Sequence, residues 1–181
     1  MNKSVIEKVV INNPIGNLYR KNHVLVLVVD KDKNFILGKK KDFYPENISR
    51  MLGGGINTGE DPVQSAKREI KEELTLDIPV NSFKLLGNVI TQALTTEGNM
   101  EMQTWIYSVE LPDIVGIKPS DDISGVQFFT YKQYVDLIQT MSSLSGEFIT
   151  NKFSFLWSDW GKIYGPIHQY GLEWYTNICD K

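Results

Sequence analysis

Runs of apolar residues separated by short polar turns predict a sheet in the first part of the chain. Residues 24–29 are continuously apolar, as expected for a strand buried on both faces. A polar turn at 30–34 follows, and residues 35–37 resume the apolar pattern as a hairpin partner. Residues 5–11 predict an edge strand, which the Asn-Asn-Pro-Ile-Gly turn at 12–16 would end.

The same reasoning predicts further strands after the middle of the chain. Residues 84–95 and 103–110 alternate as an antiparallel pair, and residues 126–129 form a short last strand. The loop expected between the members of the pair holds the acidic residues Glu97 and Glu101. Strands and helical segments thus alternate, which favours an α/β domain with a mixed sheet.

Two helices have recognisable start signals. Asp61 is a good N-cap, Pro62 follows at the first helical position, and Gln64 lies where a capping-box partner belongs. Thr130 and Gln133 repeat the signal further along. The first helix has an apolar stripe of Val63, Ala66, Ile70 and Leu74. The stripe of the second consists of Tyr134, Leu137, Ile138 and Met141.

The first helix also carries three glutamates within five positions. Glu69, Glu72 and Glu73 are spaced at i, i+3 and i+4, so their carboxylates lie on one side of the helix. Glu69 and Glu73 border the apolar stripe, where partial burial strengthens cation binding. Hard oxygen ligands of this kind suit Mg²⁺ or Mn²⁺. The alternative is a charged surface helix in which Arg68 and Glu72 form an i,i+4 ion pair.

The segment around this helix resembles the 23-residue box of the Nudix hydrolases. The match begins at Gly54, within the run Met-Leu-Gly-Gly-Gly at 51–55, and covers nine specified positions. These are Gly54, Glu60, Arg68, Glu69, Ile70, Glu72, Glu73, Thr75 and Leu76. One position departs, because Thr75 stands where the family has glycine. A β-branched residue disfavours the left-handed conformation that ends many helices, so we expect this helix to end differently, through a longer last turn.

The resemblance, which covers roughly residues 20–140, implies an α/β/α sandwich and hydrolysis of a nucleoside diphosphate linked to another moiety. Glu69 and Glu73 would then be the principal metal ligands, with Glu72 holding a second ion and the carbonyl of Gly54 as a further ligand. Arg68 would orient a box glutamate and pair with Glu60. The general base would be a box glutamate or a loop carboxylate, for which the candidates are Glu97, Glu101, Asp121 and Asp122.

Substrate binding requires residues outside the box. Arg50, just before the glycine run, is the preferred phosphate ligand, and Lys39 heads the run of lysines at 39–41. Strand-end lysines often simply protect a sheet edge. Phe43 and its neighbour Tyr44 could stack on a base or pack within a loop. Trp105 falls on a core strand and needs no ligand to explain it.

Composition agrees with a small-molecule enzyme. The 181 residues are 41% hydrophobic, enough to bury one domain core. A net charge of −3 gives no electrostatic reason to expect binding to a nucleic-acid polymer. The single cysteine, Cys179, excludes an internal disulfide and is typical of a reducing compartment. No apolar segment follows Met1, so we expect a cytoplasmic protein without a signal peptide or membrane span.

The C-terminal end is unusually aromatic and extends a minimal Nudix domain, here about residues 20–142 of a single-domain chain. The aromatic residues of this extension, 143–181, are Phe148, Phe153, Phe155, Trp157, Trp160, Tyr164, Tyr170, Trp174 and Tyr175. Packing as an extra helical layer, a homodimer contact and a lid over the substrate all remain open. His23 and His168, the two histidines, are expected to be structural.

Three functions remain open at this point. The first is a metal-dependent Nudix pyrophosphohydrolase with a nucleotide-like substrate. The second is a catalytically weak Nudix module that binds nucleotides, although such a module has no need of the like-charge cluster. The third is an enzyme similar to isopentenyl-diphosphate isomerase, whose best-known type depends on a cysteine near the core. Cys179, two residues from the end, matches that requirement poorly.

Overall fold

The computed structural model describes residues 3–12, 20–40, 43–150 and 154–179. Its centre is a six-stranded mixed sheet in the order β1-β4-β5-β2-β3-β6. The strands are β1 (Lys3–Val10), β2 (Asn22–Val29), β3 (Phe35–Lys40), β4 (Lys84–Thr95), β5 (Gly98–Glu110) and β6 (Ile123–Phe129). Two pairs, β1 with β4 and β2 with β5, are parallel, and the other neighbours are antiparallel.

The sheet confirms the strand pattern, with one difference. β2 lies between β5 and β3 and is buried from residue 23 onward, as its apolar run predicts. The β4–β5 connection, however, is much shorter than expected, because β5 already begins at Gly98 and Thr95 pairs with it. Glu101 is therefore a strand residue that pairs with Gln92, and Glu97 lies at the tip of a tight hairpin.

Three helices cover the sheet. They are α1 (Pro62–Leu74), α2 (Tyr131–Ser142) and α3 (Trp157–Cys179), with a 3₁₀ turn at Val80–Ser82 and a small hairpin of β7 (Glu147–Ile149) and β8 (Ser154–Leu156). The capping box of Thr130 and Gln133 is present in α2, and its four predicted apolar residues are all buried. The N-cap of α1 is Asp61, but its side chain accepts from the N–H of Val63 rather than of Gln64.

Two apolar clusters lie on opposite faces of the sheet, which confirms the α/β/α sandwich. On one face α1 packs Ala66, Ile70 and Leu74 against β2 and β5. On the other face α2 and α3 pack against the sheet around the fully buried Trp160. The aromatic extension is thus an extra helical layer, the first of the three interpretations. Phe153 and residues 13–16 lie outside the described residues.

The end of α1 contradicts the expectation for Thr75. This residue adopts the left-handed conformation, with φ of 61° and ψ of 24°, and its N–H donates to the carbonyl of Lys71. The helix therefore ends as it would with glycine, at a steric cost of about 1–2 kcal/mol for a residue with a Cβ atom. The Thr75 hydroxyl offsets part of this cost by donating to the carbonyl of Lys118 at 2.9 Å.

Among the described residues, no helix combines the length and the apolar character needed to cross a membrane.

Candidate active site

The box glutamates face a polar pocket of about 250 Å³ beside the first residues of strand β2. One wall is the glutamate side of α1, and the floor is the glycine run, which hydrogen-bonds to β2 through Val24 N–H and the Gly54 carbonyl at 2.9 Å. The pocket is lined by Arg20, His23, Lys40, Tyr44, Arg50, Gly53, Gly54, Gly55, Glu69, Glu72, Glu73, Asp121, Asp122, Trp160 and Tyr164.

Glu73 is the most buried of the carboxylates, with 2% of its side chain exposed. Its Oε2 accepts from the Gly53 N–H at 2.7 Å, and its Oε1 lies 3.5 Å from the Arg50 guanidinium. Burial raises the pKa of Glu73 to about 7, and Arg50 and the Gly53 hydrogen bond only partly oppose this shift. The position on the edge of the apolar stripe therefore gives Glu73 the desolvation that the sequence predicts.

Arg68 links the remaining acidic residues of the box. One of its terminal nitrogens lies 2.7 Å from Glu69 Oε1 and 2.9 Å from Glu72 Oε2. The other two nitrogens of the guanidinium donate to Glu60 and to the Gly55 carbonyl, so Arg68 connects α1 to the loop before it. The hydrogen bond from Arg68 lowers the pKa of Glu60 to about 2, whereas burial raises the pKa of Glu69.

The absence of a side chain at Gly54 lets the Glu69 carboxylate lie close to the backbone. A Cβ atom there would lie 2.8 Å from both carboxylate oxygens of Glu69. The carbonyl of Gly54 is directed to β2, where it accepts from Val24. Its observed roles are this strand contact and a close approach to a carboxylate, and its role as a metal ligand stays a prediction.

The residues around Glu69 and Glu72 fit a hard divalent cation. Two buried carboxylates and one exposed carboxylate provide only oxygen donors, the chemistry preferred by Mg²⁺ and Mn²⁺. The shared Arg68 nitrogen holds positive charge between Glu69 and Glu72, where a cation would be held. Within the described residues, no three acidic, histidine or cysteine side chains already converge on one point. Binding a cation here would require Arg68 to release one of these contacts.

Basic side chains form another wall of the pocket. Lys40 lies there, paired with Asp122, and burial, followed by the neighbouring Arg50, lowers the pKa of Lys40 to about 8. Arg50 is buried and donates to the Gly53 carbonyl at 2.9 Å. Buried polar atoms of this wall, Arg50 Nε and His23 Nδ1, have no hydrogen-bond partner among the described residues. Both atoms are enclosed below the pocket surface, and unpaired buried polar atoms of this kind are uncommon in native proteins.

Two of the predicted substrate-binding residues lie elsewhere. Lys39 is outside the pocket because neighbouring residues of a strand point to opposite faces, and a register shift separates it from Lys40. Phe43 packs with Phe148, whose ring centroid is 4.7 Å away, and with the tail aromatics, whereas Tyr44 lines the pocket. Lys41 lies outside the described residues.

The candidate loop carboxylates separate into two groups. Asp121 and Asp122 line the pocket, whereas Glu97 does not. Glu101 accepts from Gln92 at 3.1 Å and lines a different groove, of about 530 Å³, between β1 and β5. That groove is larger, but it holds one carboxylate, Glu101, and one lysine, Lys8, whereas the polar pocket holds all three glutamates of α1 and several cations, so we take the polar pocket as the candidate site.

Several pocket residues were not predicted as site residues. His23 was assigned a structural role, yet it lines the pocket as a buried imidazole whose pKa burial lowers to about 3. Trp160 and Tyr164 come from the extension, 87 or more positions after the last box glutamate, and no local signal identifies them. Arg20 lies against Gly55, where a Cβ atom would approach its Cδ to 3.0 Å. Trp105 stays on its core strand, partly buried.

The other two singled-out residues lie away from the pocket. His168 is buried, with Nδ1 2.8 Å from the Tyr134 hydroxyl. Cys179 is an exposed free thiol at the end of α3. A thiol in that position cannot reach the pocket, which disfavours the isomerase-like chemistry.

Comparison with known proteins identifies the family. The family model of the NUDIX domain matches residues 19–151, well over half of the chain. The chain belongs to the Nudix family. The resemblance of the box is thereby confirmed, and Nudix hydrolases are enzymes that act on pyrophosphate bonds. Trp160 and Tyr164 lie beyond the matched Nudix region.

Individual Nudix proteins are only distantly similar. Nudix hydrolase 3 of Arabidopsis thaliana is 22% identical over 163 residues, which cover 85% of this chain and 20% of that protein. This chain thus spans about a fifth of the length of that relative. The dihydroneopterin triphosphate pyrophosphohydrolase of E. coli superposes with a TM-score of 0.53 at 19% identity, covering 65% of this chain and 86% of that one. A C. elegans Ap4A hydrolase superposes with a TM-score of 0.54 at 14% identity, and the match covers 88% of this chain and 97% of that one. These structures share the fold.

Proposed function

We propose that this Nudix protein is a divalent-cation-dependent hydrolase of a phosphoanhydride bond in a nucleotide-like substrate. The observation that carries the proposal is the charge arrangement of one pocket. The carboxylates of Glu69 and Glu73, which burial desolvates, share one pocket of about 250 Å³ with the cations Lys40 and Arg50. A phosphate chain bridged by metal ions needs this combination of oxygen ligands and cations in one site.

The box glutamates would hold the cation. Glu69 and Glu73 are the proposed principal ligands and Glu72 the further ligand, with Mg²⁺ or Mn²⁺ as the ion. When bound, the ion supplies polarisation of the phosphoryl oxygens and a lowered pKa for an attacking water. Arg68 joins α1 to the preceding loop through Glu60 and the Gly55 carbonyl. The proposed role of Arg68 and Glu60 is therefore to position the metal ligands.

The basic wall would bind the phosphate groups. Lys40 replaces Lys39 in this role, because its ammonium group lines the pocket. Arg50, which is buried against Gly53 and Glu73, would position these two groups. Arg20, at the glycine run, adds a further cation. Together they would neutralise charge that develops on the phosphates during hydrolysis.

Asp121 is the proposed general base from outside the box. Both aspartates of its loop line the pocket, but the carboxylate of Asp122 is engaged by Lys40. Glu101 does not suit this role, because it lines the groove between β1 and β5 instead of the polar pocket. A carboxylate that faces both the cations and the box glutamates could accept a proton from an attacking water.

The proposed substrate class is a nucleoside diphosphate linked to another moiety. The pocket volume is smaller than the 300–1,000 Å³ typical of sites that enclose a whole ligand. We therefore infer that the pocket holds the diphosphate and that the nucleoside and the linked moiety extend beyond it. The Nudix neighbours named above act on dihydroneopterin triphosphate and on Ap4A, both of which contain phosphoanhydride bonds.

Turnover of a panel of nucleoside diphosphate derivatives, with and without Mg²⁺ or Mn²⁺, tests the proposal. We expect metal-dependent hydrolysis, and a decrease in kcat/KM of at least about 100-fold in Glu73→Gln. Glu97→Gln, the same change at the exposed hairpin tip, is the matched control and should retain wild-type activity. Absence of turnover on every substrate, with metal binding still detected by calorimetry, would reject hydrolysis in favour of a nucleotide-binding module.

A further inference from the structure

The loop 118–123 closes the C-terminal end of α1. A helix leaves its last four carbonyl groups without partners inside the helix. Here the carbonyl of Lys71 accepts from Thr75 N–H at 3.1 Å, and the carbonyl of Leu74 accepts from Lys118 N–H at 3.0 Å. Ser120 provides the other two donors, its N–H to Glu73 at 2.9 Å and its hydroxyl to Glu72. All four terminal carbonyl groups are therefore satisfied.

Thr75 holds this loop from the helix side. Its hydroxyl donates to the Lys118 carbonyl at 2.9 Å, and its oxygen lies 3.3 Å from the Ser120 hydroxyl oxygen. The glycine found in the family box could adopt the same left-handed conformation without strain, but it has no hydroxyl. The departure from the box therefore adds a tether between α1 and the loop, which we name the Thr75–Ser120 clasp.

The clasp lies directly before the pocket carboxylates. Asp121 follows Ser120 with φ of 57°, and the Ser120 carbonyl accepts from Ile123 N–H at 3.1 Å, so the backbone turns sharply here. Asp121 and Asp122 then line the pocket, and Asp122 pairs with Lys40 at the opposite side. Exposed residues of a loop have little packing to fix them, so these contacts determine where the carboxylates lie.

We propose that Thr75 and Ser120 are positioning residues that hold the Asp121 carboxylate at the site of hydrolysis. The proposal rests on the hydrolytic function proposed above. It also explains why a strained residue stands at the one box position that departs from the family. The same hydrogen bonds join the backbone of Glu72 and Glu73 to the loop, so the clasp fixes the loop relative to the carboxylates of the box.

Thr75→Val and Thr75→Ser test the clasp, because valine keeps the branched shape without the hydroxyl and serine keeps the hydroxyl. We expect Thr75→Val to lower kcat about tenfold with KM changed less than about twofold, and Thr75→Ser to restore most of kcat. In an Asp121→Asn background, Thr75→Val should have little further effect, since both changes act through one carboxylate. Additive effects, or a wild-type kcat in Thr75→Val, would overturn the proposal.

Hydrogen exchange provides a measurement that does not depend on turnover. The amides of Lys118 and Ser120 should exchange at least about tenfold faster in Thr75→Val than in Thr75→Ser, while amides in α2 stay unchanged. Unchanged exchange at these two amides would contradict the clasp even if the enzyme is active. If no substrate is hydrolysed but the two amides respond as expected, the proposed function fails and the clasp stands as a structural tether.

Discussion

At the scale of single residues, Glu73 gives a prediction about pH and stability. Its pKa is raised from 4.5 to about 7 by burial. Between these values the native protein retains a proton that the unfolded chain has released, so stability falls as pH rises through this window. The ionised form is less stable in the fold by roughly 3 kcal/mol, from about 1.4 kcal/mol per pKa unit. Glu73→Gln removes this penalty and keeps an oxygen that can accept from Gly53.

The measurement is urea unfolding of metal-free wild-type protein and Glu73→Gln at pH 4.5 and pH 8. We expect similar free energies of unfolding at the lower pH and a more stable variant at pH 8 by about 2–3 kcal/mol. Groups distant from Glu73 titrate equally in both proteins, so the change in the difference reports Glu73 together with the charged neighbours it influences, Lys40 among them. A difference that does not vary with pH would show that this carboxylate is not desolvated in the fold.

The positions of some side chains follow from the sequence, whereas others depend on contacts between distant residues. The placement of Glu69 and Glu73 follows from helical periodicity alone, and both are buried as predicted. The choice between Lys39 and Lys40 depends on which strand face meets the pocket, which the sequence does not specify where the register shifts. Thr75 was assigned wrongly because its compensating partner, Lys118, is 43 positions away.

At the scale of elements, the sequence predicts a helix or strand correctly where the interacting residues are close in sequence. The capping box of α2 and the buried run of β2 were both predicted, since each depends on neighbouring residues. The β4–β5 hairpin was predicted with too long a loop, because the Thr95–Gly98 pairing depends on the turn itself. Phe43 had two open interpretations, a stack on a base and packing within a loop. It packs on Phe148, and such long-range aromatic contacts leave no local pattern.

The packing of α3 on α2 gives a prediction at this scale. A Cβ atom on Gly161 would lie 2.1 Å from the carbonyl oxygen of Met141, so the two helices must separate to admit it. We expect Gly161→Ala to destabilise the protein by roughly 2 kcal/mol, despite the higher helix propensity of alanine. Gly125→Ala is the matched control, because nothing lies within 4 Å of the added atom. Equal midpoints of thermal unfolding for the two variants would contradict the close contact.

At the scale of the whole molecule, the pocket is assembled from distant parts of the chain. Arg20, the box, the Asp121 loop and Tyr164 span about 145 positions and meet only because the fold brings β2, α1 and α3 to one pocket, although α1 and α3 cover opposite faces of the sheet. The sequence predicts α1 and its three glutamates because both depend on residues that are close in sequence. It does not predict that Trp160 and Tyr164 line the pocket, because their position results from how α3, a helix outside the family match, docks on the sheet.

The same docking predicts that the extension unfolds together with the rest of the chain. Contacts of α3 reach β1 through Tyr170 and Glu7, β5 through Tyr175 and Glu110, and α2 through His168. Removing α3 would expose the apolar face it covers, so we expect one cooperative transition. Trp105→Phe leaves tryptophans only in α3, at positions 157, 160 and 174, so fluorescence then reports the extension alone. In urea, fluorescence and far-UV circular dichroism should give the same midpoint. A fluorescence transition at lower urea would instead mean that the extension undocks from a core that remains folded.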